Sequence, residues 1–270
     1  MILVVGDVAD DVVVRALGPL AASDDTRAEI ALRPGGSAAN TAAWLGALGT
    51  PVRFAGRVGA GDAARHAAAL EDRGVDARLS ADALAPTGRS VVLAHDRSMF
   101  TDRGANARLS ASDLPDALLD GVTHVHVSGY ALAEPGPRAA VLELVRRAGV
   151  PWSVDPGSAA LLRAAPFTAW TAGAAVCFPN DDEAQLLGEG AAYGLVVRKR
   201  GALGARLEPP GAAPVDVPAR PGQVVDLTGA GDAFAAGFLA ARAGGEDDVA
   251  CARAAVAAAA RAVATVGGRP

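Results

Sequence analysis

A chain of 270 residues with 51% hydrophobic side chains can bury one large α/β core, and no composition break divides it. A net charge of −5 argues against a nucleic-acid partner or an anionic membrane surface, and no apolar run approaches the ~20 residues of a membrane-spanning helix. Cys177 and Cys251 lie in apolar surroundings with no C-x-x-C partner, which predicts buried reduced thiols in a cytoplasmic protein.

Residues 2–5 are apolar and run straight into Asp7, Asp10 and Asp11, so they read as a first strand and not as a signal peptide. Residues 12–14 and 28–32 read as short exposed strands around a polar bend. Pro34-Gly-Gly then opens a helix, with Ser37 as its N-cap and Gly49 as its stop. A strand at 52–54 and a helix at 62–72 follow. Residues 90–94 and 98–101 form a predicted hairpin, turned at His95-Asp96-Arg97. A strand at 122–127, a helix at 138–147 and strands at 152–154, 174–178 and 195–197 come next. Residues 223–225 are read as the strand leading into a glycine turn, and helices at 230–243 and 247–266 close the chain. This alternation predicts a mostly parallel sheet with helices on both faces. The early strands and the hairpin break the alternation and are assigned to a small separate sheet.

Ligands of such folds bind beyond the carboxyl ends of the strands. Asp7, Asp10 and Asp11 fall there, as do Asp155, Asn180, Glu183, the only lysine Lys199, and the turn Asp226-Leu-Thr-Gly-Ala-Gly-Asp232. In that turn Gly229, Ala230 and Gly231 leave the first helical N–H groups uncovered, where the helix dipole favours an anion. Asp232 beside it could take a proton from a hydroxyl while the turn holds a phosphoryl group. Taken alone, the turn is equally well a tight strand–helix connection. It is a poor dinucleotide fingerprint, because Phe234 stands where a third glycine is needed.

Two motifs together resemble the ribokinase-like, phosphofructokinase-B type carbohydrate kinases over essentially the whole chain. Pro34-Gly-Gly-Ser-Ala-Ala-Asn40 matches the N-terminal Gly-Gly-x-x-x-Asn signature, and Asp226 to Asp232 matches the C-terminal Asp-Thr-x-Gly-Ala-Gly-Asp signature, with Leu227 in place of threonine. Weaker matches are Gly104-Ala-Asn106, Ser153-Val-Asp155-Pro, Pro179-Asn180-x-x-Glu183 and Lys199-Arg-Gly201-x-x-Gly204. The resemblance implies an α/β, ribokinase-like three-layer fold over residues 1–270 as a single domain. Its mostly parallel central sheet is flanked by helices, and a small β lid is built from segments near 11–33 and 87–103. It implies an ATP-dependent kinase acting on a primary hydroxyl of a sugar or sugar derivative of the ribose, fructose or 2-keto-3-deoxygluconate type.

The resemblance further implies roles for single residues. Asp232 is the base, and Gly229, Ala230 and Gly231 are the anion hole. Asp11, Gly35, Gly36 and Asn40 hold substrate hydroxyls, and Asn106 is a further substrate-binding residue. Lys199, Gly201, Gly204 and Thr228 belong to the nucleotide side. Asn180 and Glu183 orient Mg²⁺ through waters, and Asp226 with Thr228 lies near a K⁺ site. The lid admits pairing into a homodimer.

For each residue a purely structural task stands beside the functional one. Asp10 could replace Asp11. Asn40 could brace a loop, and Asn180 with Glu183 could simply cap a helix. Arg103 either reaches a substrate carboxylate or makes a surface ion pair. The 183–199 segment is short by about a helix against the family pattern. Asp62 is read as a helix start, and His124 and His126 as core side chains rather than metal ligands. A nucleoside kinase, for adenosine or pseudouridine with Phe100 or Tyr130 as the base platform, and a non-catalytic ligand-binding relative are the competing functions.

Overall fold

The computed structural model describes residues 1–19, 23–93, 99–188 and 193–270. The turn expected at His95-Asp96-Arg97, and the strand ends at 94 and 98, lie outside the described residues.

The main sheet is built on apolar runs that bury both of their faces. β1 (Ile2–Val5) is buried along its whole length. It is flanked by β4 (Val52–Gly59) and β8 (His124–Ser128), both parallel to it. The sheet continues outward through β5 (Val75–Asp82) on one side. On the other it continues through β9 (Trp152–Asp155), β10 (Val176–Cys177) and β11 (Val196–Lys199), all still parallel. β12 (Ala205–Glu208) and β13 (Val215–Val217) add an antiparallel edge. The strand order is β13-β12-β11-β10-β9-β8-β1-β4-β5.

The two-residue period of a strand divides β1 between two cores. Ile2 and Val4 face one core, with Phe54, Trp44, Phe178 and the inner sides of α1 (Ser37–Ala47), α7 (Ala230–Ala243) and α8 (Asp248–Ala262). Leu3 and Val5 face the other, with Val125, Val127 and Val154, against α3 (Pro135–Ala148) and α5 (Phe167–Thr171). α2 (Ala63–Glu71) contributes Leu70 to the first core, and α6 (Asp181–Leu187) contributes Leu187 to the second. The remaining short helix, α4, is Ala159–Ala164. α7 and α8 lie very close together: a Cβ at Gly237 would stand 2.8 Å from both Ala254 O and Ala258 Cβ. His124 and His126 share the Ser153 hydroxyl inside the sheet at 2.8 and 2.9 Å, the structural role expected of them.

The early strands do form a second sheet. It holds β2 (Ala9–Ala16), β3 (Ala28–Gly35), β6 (Gly88–Leu93) and β7 (Met99–Asp102) in the order β3-β2-β6-β7. The register aligns Leu32, Val12, Val91 and Phe100 in one row and Ile30, Val14 and Leu93 in another. Side-chain alternation puts both rows on the face opposite Asp11.

Three expectations change. Residues 223–225 are no strand: Val224 and Val225 are exposed, and the N–H groups of Val225 and Asp226 both donate to Val263 O. A short apolar run between Pro221-Gly222 and Asp226 looks like a strand locally, but the sheet already ends at β13. The chain instead crosses back along the end of α8 to start α7 over the middle of the sheet. Ser37 is not the cap of α1. Gly36 (φ +91°) occupies the N-cap position, and Asp7 does the capping, accepting from the N–H of Ser37 at 2.7 Å and of Ala38 at 3.3 Å. The last helix ends at Ala262, which leaves residues 263–270 free to fold back.

Candidate active site

The site lies where β1, β9, β10 and β11 end and the N-terminus of α7 comes down over them. Gly229 holds φ +73° at the N-cap of α7, and a Cβ there would collide with the Gly268 backbone. Only glycine meets both demands. Gly229→Ala is therefore expected to lower stability by about 1–3 kcal/mol in urea denaturation, because it must displace either the turn or the 267–269 segment. The Ala230 N–H is diverted to Leu227 O at 3.3 Å. The N–H groups of Gly229, Gly231 and Asp232 donate to no described protein acceptor, so Gly229 and Gly231 of the expected span stay open and Asp232 adds a third donor.

Asp232 is the focus of this opening. Its Oδ1 accepts from the Ser37 hydroxyl at 2.8 Å, and its Oδ2 accepts from Asn40 Nδ2 at 3.0 Å. Burial pushes its pKa up to about 7. The bonds from Asn40 and Ser37 oppose the rise, and the charges of Asp155 and Asp7 add to it. A carboxylate of that pKa is suited to accept a proton near neutrality.

Lys199 ends β11 with its ammonium 2.6 Å from Asp155 Oδ2, both side chains largely buried. A Cβ at Gly231 would stand 3.3 Å from that ammonium, so the cation faces the opening of α7. Burial disfavours the charge, but Asp155 and Glu183 more than offset it and keep the lysine pKa above its ordinary value.

Asp10 and Asp11 separate cleanly. Asp10 is held by Arg65 through two 2.9 Å bonds, with His66 Nε2 at 3.3 Å. Burial and the Arg65 charge lower the His66 pKa, with Asp10 opposing. Asp11 is buried yet accepts no hydrogen bond from any described residue. Burial, with Asp7 adding and Arg269 opposing, raises its pKa to about 6. A Cβ at Gly35 would run into the Asp11 carboxylate, and one at Gly36 would stand 2.6 Å from Val8 Cα, so bare backbone is required beside that carboxylate.

Other expected site residues are committed elsewhere. Asn106 clasps Val8, accepting from its N–H at 3.1 Å and donating to its O at 2.9 Å. It thereby locks the β1–β2 connection, which is a different task from the substrate contact expected of it. Asn106→Ala is expected to lower stability by about 1–3 kcal/mol, by stripping partners from a backbone pair. Its Michaelis constants should stay near wild type, which parallel denaturation and steady-state assays would show. Arg103 donates to Tyr130 O at 2.7 Å, with its guanidinium 5.7 Å from the Tyr130 ring, and it stands 3.9 Å from Glu134.

Asn180 and Glu183 form a reciprocal capping box at the start of α6, with bonds of 2.9 and 2.8 Å. Burial raises the pKa of Glu183, with the Lys199 charge opposing and Asp155 adding. Their oxygen donors at the end of β10 suit a small hard cation that keeps its waters. Among the described residues no three acidic, His or Cys side chains cluster to hold a metal directly. Asp226 Oδ1 accepts from the Thr228 N–H and hydroxyl, and Oδ2 from the Gly267 N–H. It ties the turn to residues 263–270 and is not grouped with Asn180 and Glu183. Gly201 (φ +53°) and Gly204 (φ +90°) shape the β11–β12 turn, where a Cβ on Gly204 would collide with Val217 O.

Two residues of the site escaped sequence reasoning. Ser37 has the composition of a helix cap, but its hydroxyl donates to Asp232. Arg269 arrives from beyond α8, donating to Asn40 Oδ1 at 3.2 Å and to Gly35 O at 2.9 Å. Its only sequence signal is the glycine pair Gly267-Gly268 just before it.

The sequence model of the pfkB family carbohydrate kinase matches residues 1–270. The bifunctional protein HldE of Pseudomonas savastanoi pv. phaseolicola is 32% identical over 238 residues, which are 80% of this chain and 48% of that protein. The chain thus spans about half the length of the curated relatives it matches. Among solved structures, an adenosine kinase from Sinorhizobium meliloti superposes with TM-score 0.87 at 24% identity, covering 100% of this chain and 95% of that one. A putative ribokinase II from E. coli, in complex with ATP and Mg²⁺, gives TM-score 0.87 at 24% identity, over 99% of this chain and 94% of its own.

Proposed function

Since the chain belongs to the pfkB family of carbohydrate kinases, we propose that it transfers the γ-phosphoryl group of ATP to a primary hydroxyl of a sugar or sugar derivative, with Asp232 as base. The observation that carries this reading is the Asp232 carboxylate, held by Ser37 and Asn40 directly beside the uncovered N–H groups of α7.

A hydroxyl seated against Asp232 would pass its proton to that carboxylate as its oxygen attacks phosphorus. The Gly231 and Asp232 N–H groups and the Lys199 ammonium would meet the charge on the transferring phosphoryl. Asp11 and the bare backbone of Gly35 and Gly36 would receive the other hydroxyls. Mg²⁺ bound with the nucleotide would neutralise phosphate charge, and Asn180 and Glu183 would orient its waters.

The four-stranded sheet would close over the acceptor as a lid and exclude water. Its apolar outer rows, with Ile30, Leu32 and Phe100 exposed, would suit pairing of two copies. A nucleoside acceptor is the second reading, in which the Tyr130 ring, beside Gly157 and Arg103, would serve as the platform for the base.

ADP formation with Mg²⁺ and K⁺ across ribose, fructose, 2-keto-3-deoxygluconate, adenosine and pseudouridine tests the proposal. Turnover of one acceptor supports it and names the class. ATP binding without any turnover points to an untested acceptor, and failure to bind ATP favours a non-catalytic relative.

A further inference from the structure

Beyond α8 the chain reverses at Gly267, where φ is +104°. Three contacts seat the segment that follows. The Gly267 N–H donates to Asp226 Oδ2 at 2.9 Å, and Gly268 O accepts from Trp44 Nε1 at 3.0 Å. The Gly268 backbone is pressed between Gly229 and Asn40 so closely that a Cβ on either glycine would collide. The Arg269 side chain therefore enters the site from a fixed base.

Two of its three nitrogens are spent: Nε on Asn40 Oδ1 and Nη2 on Gly35 O. The first bond settles which way the Asn40 amide points, because it leaves Nδ2 facing Asp232. Nη1 is buried and has no hydrogen-bond partner among the described residues. A buried charged donor without an acceptor is unfavourable, so the acceptor should arrive with a ligand. Asp11 is the mirror case, a buried carboxylate with no donor among the described residues, standing over Gly35. The surroundings of Gly35 thus present one unused cationic donor and one unused anionic acceptor among the described residues.

A hydroxyl both donates and accepts, so neighbouring hydroxyls satisfy both groups at once. An anionic substituent fits less well. It would satisfy Arg269 but would meet Asp11 and Asp232, both of which already interact electrostatically with that guanidinium.

We propose that Arg269 is a specificity-determining residue of the acceptor site, its free Nη1–H donating to a hydroxyl oxygen while Asp11 accepts from the same or the adjacent hydroxyl, so that the site selects neutral acceptors with neighbouring hydroxyls. The proposal rests on the kinase reading for the identity of the site, and it also makes Arg269 a positioning residue for Asn40.

Calorimetry on the wild type with D-ribose, D-fructose, 2-keto-3-deoxygluconate and adenosine identifies the best-bound probe. That probe is then compared with its analogue lacking one of the neighbouring hydroxyls. Arg269→Ala is expected to weaken the parent probe by about 10–100-fold, to leave ATP affinity unchanged and to erase the preference for parent over analogue. Arg269→Lys should recover part of the preference, and guanidinium ion added to Arg269→Ala should recover part of the affinity. Melting curves check folding, and Arg269→Gln replaces the alanine variant if that one fails to fold. Equal weakening of parent and analogue, unchanged affinity, or no binding of any probe by the wild type would overturn the proposal. Binding is read independently of turnover, so failure of the kinase reading would show separately, as intact probe binding without ADP formation.

Discussion

Replacing Asp232 by asparagine is expected to lower phosphoryl transfer by about 10²- to 10⁴-fold while the protein stays folded and still binds ATP. The carboxamide keeps the size of the side chain but cannot accept a proton. With the base at a pKa of about 7, kcat/KM of the wild type should fall tenfold per pH unit below neutrality. Below about pH 6 the limb should steepen as Asp11 also protonates, and Asp11→Asn should remove that second step.

Stability should respond in the opposite direction. Burial raises the Asp232 pKa from 3.8, so between that value and about 7 the folded state holds a proton that the unfolded chain has released. Wild-type stability therefore declines as pH rises through this window. Asp232→Asn, which cannot titrate, should gain stability relative to wild type between about pH 4 and pH 8, measured as a difference in melting temperature. A variant that loses activity by unfolding would show the reverse, and an active Asp232→Asn enzyme would rule out Asp232 as the base.

Lys199→Met is expected to do two kinds of damage that can be separated. It removes the cation facing the start of α7, which should lower kcat/KM by about 10²- to 10³-fold. It also strands the Asp155 carboxylate, now 2.6 Å from the ammonium and largely buried, which should destabilise the protein by about 3–5 kcal/mol. Adding Asp155→Asn to Lys199→Met should restore most of the stability, since the leftover charge is gone, and none of the activity. Urea titrations of the single and double variants beside their kinetics give both readings. Recovery of activity in the double variant would mean that Lys199 only neutralises Asp155 and does not serve the phosphoryl group.

Much of the fold was legible because the information is local. The alternation of Leu3 and Val5 with Ile2 and Val4 needs only the geometry of a strand. The turn at Gly229 needs only the conformational freedom of glycine before a helix. The errors fell where local pattern and tertiary context diverge. Val224 and Val225 have the look of a strand but pair with no described strand, and the Val225 N–H donates to Val263 O just past α8 instead. Ser37 has the composition of a helix cap, yet its hydroxyl goes to Asp232 because Asp7 already supplies the cap. β5, β12 and β13 carry too few consecutive apolar residues to stand out, and they become strands only because a sheet edge is waiting for them.

Taken by itself, the amino-acid sequence determined the α/β alternation, the two glycine motifs and the carboxylate at the head of α7. Each of these is a requirement satisfied within a few consecutive residues. Tertiary structure alone decided which polar groups remain free to act. Asp10 and Asp11 are neighbours in sequence, but only Asp10 meets Arg65. Asn106 and Asn40 are the same residue type, but one is consumed by Val8 and the other faces Asp232. Arg269 meets Asn40 across 229 positions of the chain. Whether a charge is paired or a donor is spent depends on what folding brings within about 3 Å of it, and spacing along the chain does not encode that distance.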